Sequence, residues 1–293
     1  MRVKVVFVAL RSNTSKIADT ANISDGAVIE CDHFELGEHS YIGPNVTITC
    51  KEFVAGDYLW MPGNVDVGRG GCTGPNSIVH IGNSVGIFEG CVINPSEQVT
   101  IGNCVGIGAD CLLWTHGAWL DPLEGFPFSF DNISIGNNVW LPARSIMLPG
   151  TNIGNNVVIG TASVITKDIP SGSLAMGQPC KVIKENEYPK FLSDNERDKI
   201  LSQIVKKWYE ELLPHKDFEV TRCTWLVNRG EITLSYDNSV VVFDTHLKIQ
   251  KGDGTILSED FRDFLRRYGI RIYNGKPFRS IKAKYETYLE STS

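Results

Sequence analysis

The chain has 293 residues, 42% hydrophobic and 21% charged, the composition of a folded protein with one large core or two smaller ones. A formal net charge of −6 disfavours nucleic acid as the main partner, because phosphate binding needs surplus Lys and Arg. No stretch approaches the ~20 apolar residues that would span a membrane.

The chain opens on the apolar run Val5–Leu10, too short for a signal-peptide core with its cleavage site, and it reads as a single strand. Eight cysteines are scattered with no CxxC pair. Their even number fits disulfides, but a chain of this size does not need such staples, so they read as reduced, buried thiols. The cytoplasm is the matching compartment.

From residue 17 onward aliphatic residues recur every six positions. Ile17, Ile23 and Ile29 form one series, and Leu36, Ile42, Ile48 and Val54 the next. Ile81, Ile87 and Ile93 follow, then Ile101, Ile107 and Leu113, then Ile135, Leu141, Met147, Ile153, Ile159 and Ile165. A period of six fits neither a helix nor a simple half-buried strand. Gly follows the aliphatic at Gly82, Gly102, Gly136 and Gly154, and Asn comes next at Asn83, Asn103, Asn137 and Asn155. These residues tolerate left-handed corners. Each hexad therefore reads as a short strand and a turn with one aliphatic inward. Three hexads close a triangular coil, and coils stack in parallel register.

Two of the breaks between these series are informative. Ile93 to Ile101 is eight residues, and Leu113 to Ile135 is twenty-two. Both follow the third hexad of a coil, so both insertions should leave the prism at the same corner. The longer one opens with Trp114-Thr115-His116 and carries Asp121, Glu124 and Gly125-Phe126-Pro127-Phe128. Histidine titrates nearest to neutrality and suits proton transfer, which makes His116 the candidate base. Asp121, Glu124 or a backbone carbonyl would accept from its other ring nitrogen. A zinc site would need three converging imidazoles. The spacing of His80 and His116, thirty-six residues apart, resembles the ligand spacing of gamma carbonic anhydrases. Asp121 stands five beyond His116, where that resemblance would place a third histidine, so no metal is expected.

After Lys184 the hexads stop. Ser193-Asp194-Asn195-Glu196 has N-cap chemistry, and Ile200, Ile204, Val205, Trp208, Leu212 and Leu213 follow at helical spacing. Alternating stretches at 219–227, 231–236 and 239–243 are separated by hairpin signals, Asn228-Arg229-Gly230 and Asp237-Asn238. A second helix is expected over 258–268. The fold class is thus mainly β, a hexapeptide β-helix over 1–189 with a small α+β domain over 190–293.

The segment Ile135–Lys184, IGNNVWLPARSIMLPGTNIGNNVVIGTASVITKDIPSGSLAMGQPCKVIK, resembles the terminal coils of hexapeptide-repeat acetyltransferases of the galactoside, maltose and xenobiotic branches. The likeness runs over about residues 15–185, and Gly125-Phe126-Pro127-Phe128 is similar to a loop stretch of the xenobiotic branch. The resemblance implies left-handed winding, acetyl-CoA as acyl donor, and His116 as general base. It assigns coenzyme A contacts to Ala143, Thr161, Thr166, Lys167 and Lys181. It also implies a homotrimer with the site between neighbouring chains, and a sugar-type acceptor. Phe88-Glu89 stands where sugar-acetylating relatives often carry an acceptor-contacting asparagine, so acceptor identity does not carry over. A xenobiotic acetyltransferase and a non-enzymatic scaffold are the alternatives.

Overall fold

A computed structural model describes residues 9–68, 72, 74–217, 223–236 and 238–284. It divides into two compact units, Met1–Lys190 and Phe191–Ser293.

The first unit is a parallel β-solenoid whose interior is three columns of aliphatic side chains. One column runs Ile29, Ile48, Val67, Ile93, Leu113, Met147, Ile165 in direct strand register. A second runs Leu36, Ala55, Ile81, Ile101, Ile135, Ile153. The third includes Ile87, Ile107 and Leu141. Every one of these side chains is at most 5% exposed. Each except the small Ala55 contributes ~1.5–3 kcal/mol by leaving water.

The structure adds to the hexad reading and corrects it in three places. Beyond the first coil, where Ile17 is exposed and Ile23 half-buried against expectation, a hexad buries two residues, because the position two before the aliphatic points to the same side of a strand. Val46, Val85, Val105, Val139 and Val157 are at most 2% exposed. Where that position is Ser145 or Ser163, the buried hydroxyl donates to the carbonyl of Pro142 at 2.8 Å or Gly160 at 2.7 Å.

The second correction concerns Val54. Strands Ala9–Ile17, Val28–Leu36 and Thr47–Ala55 bend around a corner without breaking. The ladder pairs Ser12, Cys31 and Cys50, then resumes at Thr14, His33 and Glu52, leaving Asn13, Asp32 and Lys51 out. One extra residue flips the faces beyond it. Phe53 and Ala55 are therefore buried and Val54 is not. Of the N-terminal run, residues 5–8 lie outside the described residues, and the strand is seen from Ala9.

The third correction concerns Gly and Asn. The left-handed residue at that corner is the one after the asparagine: Ser84, Cys104, Asn138 and Asn156 have φ of 56–59°. The asparagines serve as a ladder. Asn103, Asn137 and Asn155 Oδ1 accept the backbone N–H of Asn83, Asn103 and Asn137, each at 2.7 Å. Glycine is there for closeness, since a Cβ on Gly102 would stand 2.7 Å from the Gly136 carbonyl carbon.

The second unit starts with helix α1, Asp194–Lys206, closed by a capping box between Ser193 and Glu196. It continues as a π-helical turn, Lys207–Leu212. Ile200 is exposed, and Leu201, Ile204, Val205 and Trp208 form the inward stripe. Strands Cys223–Asn228, Glu231–Tyr236, Ser239–Asp244 and Ile249–Lys251 make an antiparallel meander. The expected strand start at 219–222, and Asp237 of the second turn, lie outside the described residues. The first hairpin turns through Arg229 and Gly230 at φ of 47° and 76°.

Helix α2 spans Ile256–Arg267, two residues earlier than its sequence signal, because Thr255 and Ser258 form its capping box. Its polar face is buried. Asp260 accepts from Trp208 Nε1 at 2.9 Å and from the Ile281 N–H at 2.7 Å. Arg262, fully buried, donates to the carbonyls of Ile272 and Pro277 and lies 4.4 Å from the centroid of the Phe278 ring. Among the described residues no helix is long and apolar enough to cross a membrane.

Close coil stacking gives a test. Gly102→Ala is expected to cost about 1–3 kcal/mol through backbone displacement. Asn137→Ala, exposed and able to trade its partner for water, is expected to cost about 1 kcal/mol. Urea unfolding followed by circular dichroism measures both.

Candidate functional site

The two breaks in the repeat leave the solenoid at one corner, as their position after the third hexad requires. Asn94 and Trp114 end paired strands, Val92–Asn94 and Leu112–Trp114. Thr115, fully buried, ties the two insertions together. Its Oγ1 donates to the Asn94 carbonyl at 2.8 Å and accepts the Glu97 N–H at 2.9 Å. The long loop is closed at its neck, where His116–Gly117 pairs antiparallel with Ser129–Phe130 and the Asp131 N–H donates to the Thr115 carbonyl.

This geometry holds the His116 ring on three sides. Phe130 stacks against it at 5.6 Å and 17°, and Trp114 meets it edge-on at 5.6 Å. Its Nδ1 lies 2.8 Å from Asn94 Oδ1 and 3.1 Å from Ser96 Oγ. The Ser96 backbone N–H also donates to that Asn94 atom, at 3.4 Å, which fixes it as the oxygen. His116 Nδ1 therefore carries the proton and donates it to Asn94. Nε2 is left with its lone pair as the proton acceptor.

The orienting group is thus Asn94, where the sequence pointed to Asp121, Glu124 or a carbonyl. Asp121 caps the short 3-10 turn Pro122–Glu124 by accepting the Leu123 N–H at 2.8 Å, and Glu124 is exposed on that turn. Chain proximity misled because the loop runs outward after its neck. The available signal for Asn94 was the shorter break, which places a buried polar residue beside the longer one. The loop tip is apolar and open: Trp119 is 96% exposed and Leu123 94%.

The other sequence-derived positions lie on later coils. Val164–Ile165 follows Ile146–Met147 and Leu112–Leu113 in register, so Thr166 and Lys167 occupy the His116 corner two coils further on. Two coils amount to ~10 Å. Ala143 and Thr161 stack on the preceding corner, where the Ala162 N–H donates to the Ala143 carbonyl at 3.0 Å. Among the described residues neither the Ala143 nor the Thr161 amide donates to a backbone acceptor. Lys181 is exposed at the start of Lys181–Lys184, which pairs antiparallel with Leu174–Met176. Arg144, also exposed, faces Asp110 at 3.6 Å.

His80 is engaged elsewhere. Its Nε2 lies 2.5 Å from Glu52 Oε1. Among the described residues no group of three or more His, Cys, Asp or Glu is placed to hold a metal ion.

The tautomer can be tested without any substrate. Nitrogen-15 NMR of the histidine rings is expected to show neutral His116 protonated at Nδ1, with Asn94→Leu shifting it toward a tautomer mixture. An unchanged ring spectrum in Asn94→Leu would contradict the assignment.

Residues 132–167 match the bacterial transferase hexapeptide family, described by six repeats. Over 62 residues the chain is 50% identical to the galactoside O-acetyltransferase of Escherichia coli (strain K12), covering 21% of this chain and 30% of that protein. The alignment thus spans under a third of that relative's length. A galactoside acetyltransferase solved in complex with coenzyme A is 29% identical, covering 48% of this chain and 70% of that one at a TM-score of 0.32. A hexapeptide-repeat acetyltransferase from Vibrio cholerae O1 biovar eltor, complexed with acetyl coenzyme A, is 21% identical, covering 46% and 68% at a TM-score of 0.33. The chain carries, at residues 132–167, the hexapeptide repeats of bacterial transferases, set within a parallel β-solenoid.

Proposed function

We propose that the chain is an acetyl-CoA-dependent acetyltransferase acting on a hydroxyl or amine of a sugar, with His116 as general base. The observation that carries this reading is the hydrogen bond from His116 Nδ1 to Asn94 Oδ1, which leaves Nε2 basic at the neck of the long loop. The sugar comes from the named activity of the galactoside O-acetyltransferase relative. That an amine serves as well is our extension.

In this reading His116 Nε2 takes the proton from the acceptor as it attacks the thioester carbonyl. The imidazolium then gives that proton to the departing sulfur. Asn94 positions the ring and stabilises its charged form only through a neutral oxygen dipole. The free amides of Ala143 and Thr161 suit hydrogen bonds to the pantetheine arm, and exposed Lys167 and Lys181 suit the nucleotide phosphates. Thr166 lies between them and His116 along the same corner. The assembly we propose is a homotrimer, with the exposed loop of one chain facing coils of the next.

Three measurements test this. Acetyl-CoA consumption over a panel of sugars and amino sugars should fall about 10²–10⁴-fold in His116→Ala, the usual worth of general base catalysis. Activity that survives the substitution would remove His116 as the base, and absent coenzyme A binding in calorimetry would favour the scaffold reading. Sedimentation equilibrium should give three times the chain mass, and a monomer with full activity would exclude a site shared between chains.

A further inference from the structure

The corner that carries His116 holds two cysteines in direct register at the N-terminal end of the solenoid. Cys31 pairs with Cys50 on the neighbouring coil, and their sulfurs are 3.8 Å apart. Both line an open cavity of about 810 Å³ whose wall also carries a third thiol, Cys72, with Arg11, Lys51, Glu30 and Asp32. The other internal pair is different. Cys91 and Cys111 are at most 1% exposed, and their thiols donate to the carbonyls of Gly108 at 3.0 Å and Pro142 at 3.1 Å.

We propose that Cys31 and Cys50 are a reversible dithiol–disulfide pair that exchanges with a small charged disulfide entering this cavity. Adjacent strands lie ~4.8 Å apart, inside the Cα window of ~4.4–6.8 Å that a disulfide spans. The sulfurs must close from 3.8 Å to ~2.05 Å. Asp32 and Lys51, next in sequence, stand outside the ladder where the strands bend. On that wall Arg11 pairs with Glu30 at 3.0 Å and Lys51 Nζ donates to the Pro75 carbonyl at 3.0 Å, so a ligand carrying both charges would exchange with contacts already made.

The order of attack follows from the contact between the thiols. Either sulfur can donate in that contact, and the Cys50 thiol also donates to the Glu52 carbonyl at 3.4 Å; the contact holds the Cys31 thiol below its ordinary range and pushes Cys50 up. Cys31 is thus the nucleophile. Its thiolate attacks one sulfur of the incoming disulfide R–S–S–R, and one R–S⁻ leaves. Cys50 sulfur then attacks Cys31 sulfur and expels the second R–S⁻. The two protein thiols lose two electrons to the incoming disulfide, and their two protons end on the two R–SH released. This exchange is independent of acyl transfer, so its outcome leaves the proposed function untouched.

The test treats the reduced full chain with glutathione disulfide, counts free thiols, and maps linked peptides by mass spectrometry. Free thiols should fall from eight to six, with Cys31 joined to Cys50, and dithiothreitol should restore all eight. Cys50→Ser should stop at one glutathione on Cys31, whereas Cys91→Ser should still form the link. Retention of every thiol in the folded wild type would overturn the proposal. So would a link through Cys72, Cys91 or Cys111, or no adduct on Cys31 in folded Cys50→Ser.

Discussion

The solenoid depends on one contact repeated along its axis: an inward aliphatic side chain resting on its counterpart a coil below. Ile48, Val67, Ile93 and Leu113 are four members of one such stack. Each coil is too small to bury its own interior, so it is stable only between neighbours. Backbone hydrogen bonds between coils hold the spacing, and the asparagine ladder at one corner extends that bonding into side chains. His116, Asn94 and the thiol pair stand where the chain departs from this repeat, at one corner.

Much of this architecture was legible because inward positions are regular. Ile135 to Ile165 reads as a strict six-residue beat, and all six aliphatics are buried. Val54 was misread because a bent strand replaces the turn there, and no Gly or Asn marks the bend at Asp32 or Lys51. Asn94 was not singled out because it sits in a break, where periodicity gives no register. The shared corner of the two breaks was legible, and it is the feature that joins Asn94 to His116.

The second unit shows a different limit. Caps and hairpins depend on a few adjacent residues, so Ser193 and Arg229-Gly230 announced themselves. Arg262 and Asp260 did not, because charged residues read as surface unless their partners are known. Those partners, the carbonyls of Ile272 and Pro277 and the indole of Trp208, are brought in only by tertiary folding.

The neck of the long loop separates two kinds of change. Pairing of His116 with Phe130, and the clasp of Thr115 on Asn94 and Glu97, fix the imidazole from below. Everything from Ala118 to Pro127 hangs beyond that clasp, with chain closure already secured. Doubling the length of such a tip costs only about 0.6 kcal/mol in closure entropy. The tip can therefore change in length and sequence at small thermodynamic cost while the His116 ring keeps its place.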